Sequence, residues 1–406
     1  MRKFILLSAS VPLFLLTAVG FYAERRVPQP RPGAGELVAQ ASFELFDNRV
    51  YLPVAIDGET VTMILDNGAA VSGLSTAEAE KLRLSTYGDA KLRGNGENLL
   101  PIKFTKNRTF SVAGAQLVEK SVAIVPYHQL ERHEGRNIDG ILGVDLFYRY
   151  VVRIDYPGRV LTLYDPSGFV YRGKGTIVPL KFEDAAVFPA DITIGSHDPI
   201  PARLEVDLGT YAGLRFYSPF VKRHSLPAAE SSTVSSFDFG IGGEFPVRLG
   251  RVDTLRIGRL AIHKAIAIFP AAQSGATTTE KHAGTVGGGV FSRFILTLDF
   301  PHHQMMIEPA ENSAEPFAAD ASGMVLVSDG ASLENVSVEH VLPGTPAELA
   351  GVRPGDVILR VNGSDGRNLG LERLRNLLCQ PGKYNLRLQR EGRVLETTLH
   401  TTAELY

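Results

Sequence analysis

The 406-residue chain is 44% hydrophobic and 21% charged, carries a net charge of −2, and contains no Trp and a single Cys. That balance excludes a nucleic-acid-binding footprint, a strongly acidic tail and a polytopic membrane protein. One cysteine excludes an intramolecular disulfide, and at about 150 residues per domain the length predicts two or three domains.

Arg2-Lys3 precedes an uncharged stretch from Phe4 to Ala23, followed by Glu24-Arg25-Arg26. Residues 1–23 therefore read as a targeting segment. One form is a secretory signal cleaved at the small-x-small site Ala18-Val19-Gly20; the other is an uncleaved membrane anchor through residues 4–23, at roughly the 20 residues a span needs. Either places the body outside the cytosol, in the periplasm or on the inner membrane if the chain is bacterial. A lipobox is excluded, because the cysteine is Cys379. Residues 24–36, with Pro28, Pro30, Pro32, Gly33 and Gly35, read as a linker.

The body opens with an apolar run, Val50 to Ile56, then Asp57-Gly58 as a hairpin turn, then Val61 to Leu65 ending at Asp66-Asn67-Gly68-Ala69. A second copy runs Val187 to Ile194, a polar turn, then Ala202 to Val206 ending at Asp207-Leu208-Gly209-Thr210. Both copies close alike. Gly143, Phe147, Asp155 and Pro157 recur at a fixed spacing as Gly287, Phe291, Asp299 and Pro301. The repeat predicts two duplicated β lobes, 37–168 and 174–310. It also predicts two carboxylates meeting across a pseudo-twofold axis. Carboxylates about 3 Å apart cannot both ionise, so such a pair shares a proton and can activate water.

With these residues the chain resembles the pepsin and retropepsin clan of aspartic proteases, over roughly residues 40–310. In that family each lobe carries an Asp-Thr/Ser-Gly turn and a later hydrophobic-hydrophobic-Gly segment, matched here by Ile141-Leu142-Gly143 and Thr285-Val286-Gly287. The resemblance implies an endopeptidase with Asp66 and Asp207 as the dyad, supported by Asn67, Gly68, Gly209 and Thr210, and no metal or cofactor. It implies a peptide or protein substrate and, with both lobes on one chain, a monomer. The residue after each Asp departs from the pattern. Its hydroxyl normally reaches the opposite turn; here it is replaced by Asn67, which can donate and accept, and Leu208, which can do neither. Half or all of that interlock is expected to be lost, and a silent peptide-binding scaffold with the same cleft is the alternative function.

Cover over the cleft is expected from two glycine-bearing hairpins, around Gly94 and Gly96 in lobe one and around Phe239, Gly240, Gly242 and Gly243 in lobe two. There Phe237, Phe239 and Phe245 are expected to meet apolar substrate side chains. His128, Glu131, His133 and Glu134 read as a surface loop rather than a metal site. Ser72 and Ser75 have no histidine in triad order nearby.

After a breaker-rich linker, Pro309 to Pro316, residues 320–403 resemble a PDZ domain. The resemblance rests on Val336 to Leu342, Pro343-Gly344-Thr345-Pro346, Gly351, Gly355-Asp356 and Asn362-Gly363, with a helix over 371–378 that carries Cys379 as a buried thiol. PDZ domains add an extended peptide to a sheet edge, and many hold its C-terminal carboxylate on a glycine-bearing loop. Gly323, Met324 and Val325 are the candidates for that loop. The chain therefore reads as mainly β, two duplicated lobes followed by an α+β PDZ domain that recruits substrate.

Overall fold

The computed structural model describes residues 35–195, 198–229, 231–402 and 405. The targeting segment and most of the expected linker lie outside them. Among the described residues no helix is long and apolar enough to cross a membrane.

The described residues are mainly β, in four sheets. In lobe one, strand Arg49–Ile56 turns back at Asp57-Gly58 into Glu59–Leu65, and Ile56 pairs with Glu59. Both turn residues have positive φ, 51° and 100°, which gives the two-residue turn a twist matching the strands it joins. In lobe two, Ala186–Thr193 and Ile200–Val206 form the equivalent hairpin, with Val187 opposite Glu205. Each Asp-bearing strand then gains a short parallel neighbour. Ile64 and Leu65 pair with Ile141 and Leu142, while Glu205 and Val206 pair with Thr285 and Val286. The repeat legible in the residues is thus a repeat of strand pairing.

A six-stranded sheet joins the lobes through Val151–Asp155 and Phe294–Asp299, in register Val152 to Leu298 and Ile154 to Leu296. Its strands come from both ends of each lobe, so neither lobe is closed by itself. Beneath it a single core runs through both halves, where Phe147 and Phe300 lie with ring centroids 5.5 Å apart. Each such apolar side chain contributes about 1.5–3 kcal/mol on burial. This shared core holds the two turns at a fixed separation.

The C-terminal sheet takes Met324–Asp329, Asn335–Val341, Val357–Val361, Gly382–Arg390 and Arg393–Thr401, with helices Pro346–Leu349 and Gly366–Leu378. It has its own core, including Leu326, Val338, Ile358, Leu374 and Leu386.

Two expectations are corrected. Residues 128–134 form a helix rather than a loop, stopped by Gly135 in the left-handed conformation at φ 77°; glycine adopts that conformation without a Cβ penalty. Glu134 on this helix is buried. Cys379 caps the last helix and is half-buried rather than buried.

Candidate active site

The two Asp-X-Gly turns meet between the lobes. Each aspartate is tied by its own backbone N–H to the threaded strand, Asp66 to Leu142 O at 2.9 Å and Asp207 to Val286 O at 3.1 Å. Each carboxylate faces the opposite glycine. A Cβ at Gly68 would lie 2.9 Å from Asp207 Oδ1 and 3.2 Å from Asp66 Oδ1, so both carboxylates reach one point. A Cβ at Gly209 would fall 2.3 Å from Asp66 Cγ. Glycine is therefore required at both positions by the approach of the facing carboxylate.

Asp66 Oδ1 accepts from the N–H groups of Gly68 at 2.8 Å and Ala69 at 3.2 Å, and Asp207 Oδ1 accepts from Gly209 N–H at 3.0 Å. Burial, and then the charge of Asp207, push Asp66 up to about 7, against the pull of the Gly68 and Ala69 donors and of Arg49. Asp207 is also raised by burial, and Arg215 restrains it most. The pair therefore holds a proton up to about neutral pH, as two close carboxyls should.

Asn67 replaces the expected hydroxyl and makes both of the bonds that reach the other turn. Its Nδ2 donates to Val206 O at 2.6 Å, and its Oδ1 accepts from Leu208 N–H at 2.9 Å. Leu208 is 1% exposed and belongs to the common core. One side of the interlock is complete and the other is replaced by apolar packing.

Two buried arginines hold the turns from below. Arg49 Nε donates to Gly209 O at 2.7 Å, its Nη1 pairs with Glu134, and its guanidinium sits 5.2 Å from the Tyr211 ring. Arg215 donates from Nη1 to Thr210 Oγ1 at 2.9 Å and from Nε to Asp238 Oδ2 at 2.7 Å, and Tyr211 donates to the other oxygen of Asp238. Sequence reasoning missed Arg49, Glu134, Arg215 and Asp238. The one available signal was Arg215 itself, a charge inside the apolar strand Leu214–Phe216.

The hairpins Tyr87–Arg93/Leu99–Val112 and Val234–Gly240/Gly243–Arg251 meet tip to tip. Gly96 N–H donates to Ile241 O at 2.9 Å and Asn98 N–H to Gly242 O at 3.0 Å. A Cβ at Gly96 would lie 2.2 Å from Gly242 C, so the backbones touch only because the tip is glycine. Gly94 O accepts from Ala276 N–H at 2.9 Å, while Gly240 lies against Asn95. Gly242 and Gly243 turn the second tip with φ 96° and 101°. Of the three phenylalanines, Phe245 is buried, Phe239 stacks on His133 at 3.5 Å and Phe237 on His340 at 4.0 Å. Phe245 is thus occupied by packing rather than presented to a substrate, whereas Phe237 is 39% exposed.

Residues 52–146 match the family model of an aspartyl protease and residues 318–389 that of a PDZ domain. The chain carries an aspartyl protease domain and a C-terminal PDZ domain. The protease match includes Asp66 and ends before Asp207. No curated protein matches the chain.

The PDZ domain packs against both lobes. His340 Nε2 and Glu244 Oε1 lie 2.6 Å apart, linking it to the second flap. Toward lobe one, Arg132 pairs with Asp329 at 2.8 Å, and Glu372 accepts from Asp47 N–H at 2.8 Å. Gly135 sits against Leu371 and Ser328, at one end of the space between the strand and the helix of the PDZ domain. In the glycine-bearing loop, Asp320 already accepts from the N–H groups of Ser322 and Gly323, and Ser322 Oγ accepts from Met324 N–H at 3.1 Å. Val325 pairs with His340 in the sheet.

Proposed function

We propose that the protein is an aspartic endopeptidase in which Asp66 and Asp207 share one proton. The observation that carries this reading is the convergence of both carboxylates on one point beside glycines, with a raised proton affinity and a buried frame. The ionised carboxyl takes a proton from water, whose oxygen adds to the peptide carbonyl carbon as the other carboxyl protonates the carbonyl oxygen. Collapse of the tetrahedral adduct breaks the C–N bond, and a proton passes to the departing nitrogen. Water is thus divided between the new acid and the new amine. Asn67, Arg49 and Arg215 hold the turns in register, and the flap tips exclude solvent.

The test is cleavage of a peptide library by the full chain. Asp66→Asn and Asp207→Asn are expected to abolish cuts while leaving peptide affinity, and a statine-type mimic of the tetrahedral adduct is expected to inhibit. Peptide binding without cuts, untouched by either substitution, would favour the silent scaffold instead.

The PDZ domain is read as the recruiting module. For its loop to receive a peptide carboxylate, Asp320 and Ser322 must give up the N–H groups they hold. Recruitment therefore accompanies a rearrangement of that loop, and deletion of residues 320–406 with no effect on cleavage would remove this role. The stretch 4–23 supports an extracytoplasmic site of action. Fractionation, with N-terminal sequencing of the mature chain, distinguishes a cleaved signal from an anchor.

A further inference from the structure

The two lobes present unlike walls beside the dyad. Residues i and i−2 of a strand share a face, so Ile64 lies on the face of Asp66 and Glu205 on that of Asp207. Burial along Ile200–Val206 agrees: Ala202, Leu204 and Val206 enter the core, whereas Arg203 is exposed and Glu205 half-buried. The parallel neighbours add Ile141 beside Ile64 and Thr285 beside Glu205.

On lobe one the wall is apolar. Ile64, Ile141 and Tyr127 belong to one apolar cluster, and Tyr127, Leu100, Leu130 and Ile241 of that cluster line a cavity of about 360 Å³ shared with His133, Glu244 and Glu339. On lobe two the corresponding wall is polar and electrostatically incomplete. Among the described residues, Glu205 receives one hydrogen bond, from Tyr217 Oη at 2.9 Å, and has no ion pair. Arg215, opposite Thr285 in the sheet, is already committed to Asp238. Thr285 is 4% exposed, and among the described residues its Oγ1 has no hydrogen-bond partner. Burial, and then the charge of Asp207, push the Glu205 carboxyl well above its usual range. A half-buried carboxyl and a buried hydroxyl without a partner are both costly unless something arrives to complete them.

We infer that Glu205, Thr285 and Tyr217 form a side-chain pocket for a basic residue of the substrate, Lys or Arg, opposite an apolar pocket built on Ile64 and Ile141. The inference rests on the peptidase reading and names the substrate class of that site: peptides cut between an apolar and a basic residue. A cationic side chain favours the ionised form of the carboxyl adjoining the dyad, pairs with it and gives Thr285 Oγ1 a donor, whereas an apolar side chain of equal length leaves both unmet.

Matched peptides differing only by Lys or Leu on one flank of the scissile bond test this. Cleavage is measured with the full chain and with Glu205→Leu, and affinity with Asp66→Asn alone and combined with Glu205→Leu. A charge-assisted contact of this kind favours Lys by roughly tenfold to a hundredfold. Glu205→Leu is expected to reverse the ratio toward Leu, and Glu205→Gln to reduce it. Because the readout is a ratio within one protein, a general loss of stability does not imitate it. Equal handling of Lys and Leu by the unsubstituted chain, or a ratio unmoved by Glu205→Leu, overturns the inference. Lys-selective binding without any cuts sustains the pocket and removes the peptidase reading.

Discussion

The side chain of Asn67 accepts the backbone N–H of Leu208 at 2.9 Å and donates to Val206 O at 2.6 Å. One residue thus clasps the residues on either side of Asp207. Asn67→Ala leaves a buried donor and a buried acceptor unmet, at about 1–3 kcal/mol. A displacement of the dyad by ~1 Å costs on the order of 100-fold in rate. Asn67→Asp keeps the acceptor but sets a buried carboxyl against Val206 O and beside the dyad, so it is expected to cost at least as much as Ala. Chemical denaturation beside kcat/KM checks both; a fully active Asn67→Ala would show that the clasp does not position the dyad.

The pH dependence follows from the raised carboxyls. In the proposed mechanism catalysis needs one proton on the pair, so activity is expected to fall as pH rises through about 7, where Asp66 loses its proton. The sign for stability is the same. The folded value lies above the unfolded value of 3.8. The contribution is therefore complete below about 4 and lost as pH rises through 7. Asp66→Asn is expected to narrow the difference in Tm between pH 5 and pH 8. A rate that keeps rising to pH 9 would contradict the shared proton.

Arg49 joins Gly209 O to the buried Glu134. Arg49→Met strands that carboxylate, an expected loss of about 3–5 kcal/mol. Adding Glu134→Gln should recover part of it, and a double-mutant cycle by denaturation reads the coupling. Because Arg49 lowers both dyad carboxyls, the alkaline limb of the rate profile should move upward in the double variant.

Gly96 meets the opposite flap with no room for a Cβ, 2.2 Å from Gly242 C. Gly96→Ala therefore forces the tips apart. KM is expected to rise by about tenfold, and global stability to change by less than about 1 kcal/mol, because the strain falls on the buried contact between the tips and outside the common core. An unchanged KM would show that the tips do not close over the substrate.

His340 both pairs with Glu244 and stacks on Phe237, so the PDZ domain restrains the second flap. His340→Ala should raise amide hydrogen exchange along Phe237–Phe245 while leaving Met324–Asp329 protected. Exchange that is unchanged in both segments would mean that flap order is set within lobe two alone.

The duplicated β lobes, the Asp66 and Asp207 turns, and the strand and turn order of the PDZ domain were legible in the residues alone. These depend on local alternation, on Asp57-Gly58 and Asn362-Gly363, and on a repeat visible within one chain. What the sequence could not decide involved partners far apart in the chain. Leu208 reads as a lost hydroxyl until Asn67, 141 positions away, is seen making both bonds. Glu134 reads as a loop residue until Arg49 is found against it, and the loop donors of Gly323 and Met324 read as free until Asp320 and Ser322 are found on them. Periodicity reports which face of a strand is buried, because that is fixed by the pleat. Which buried charge meets which is fixed only when the sheets pack, since burial of a polar group is tolerated only where its partner arrives.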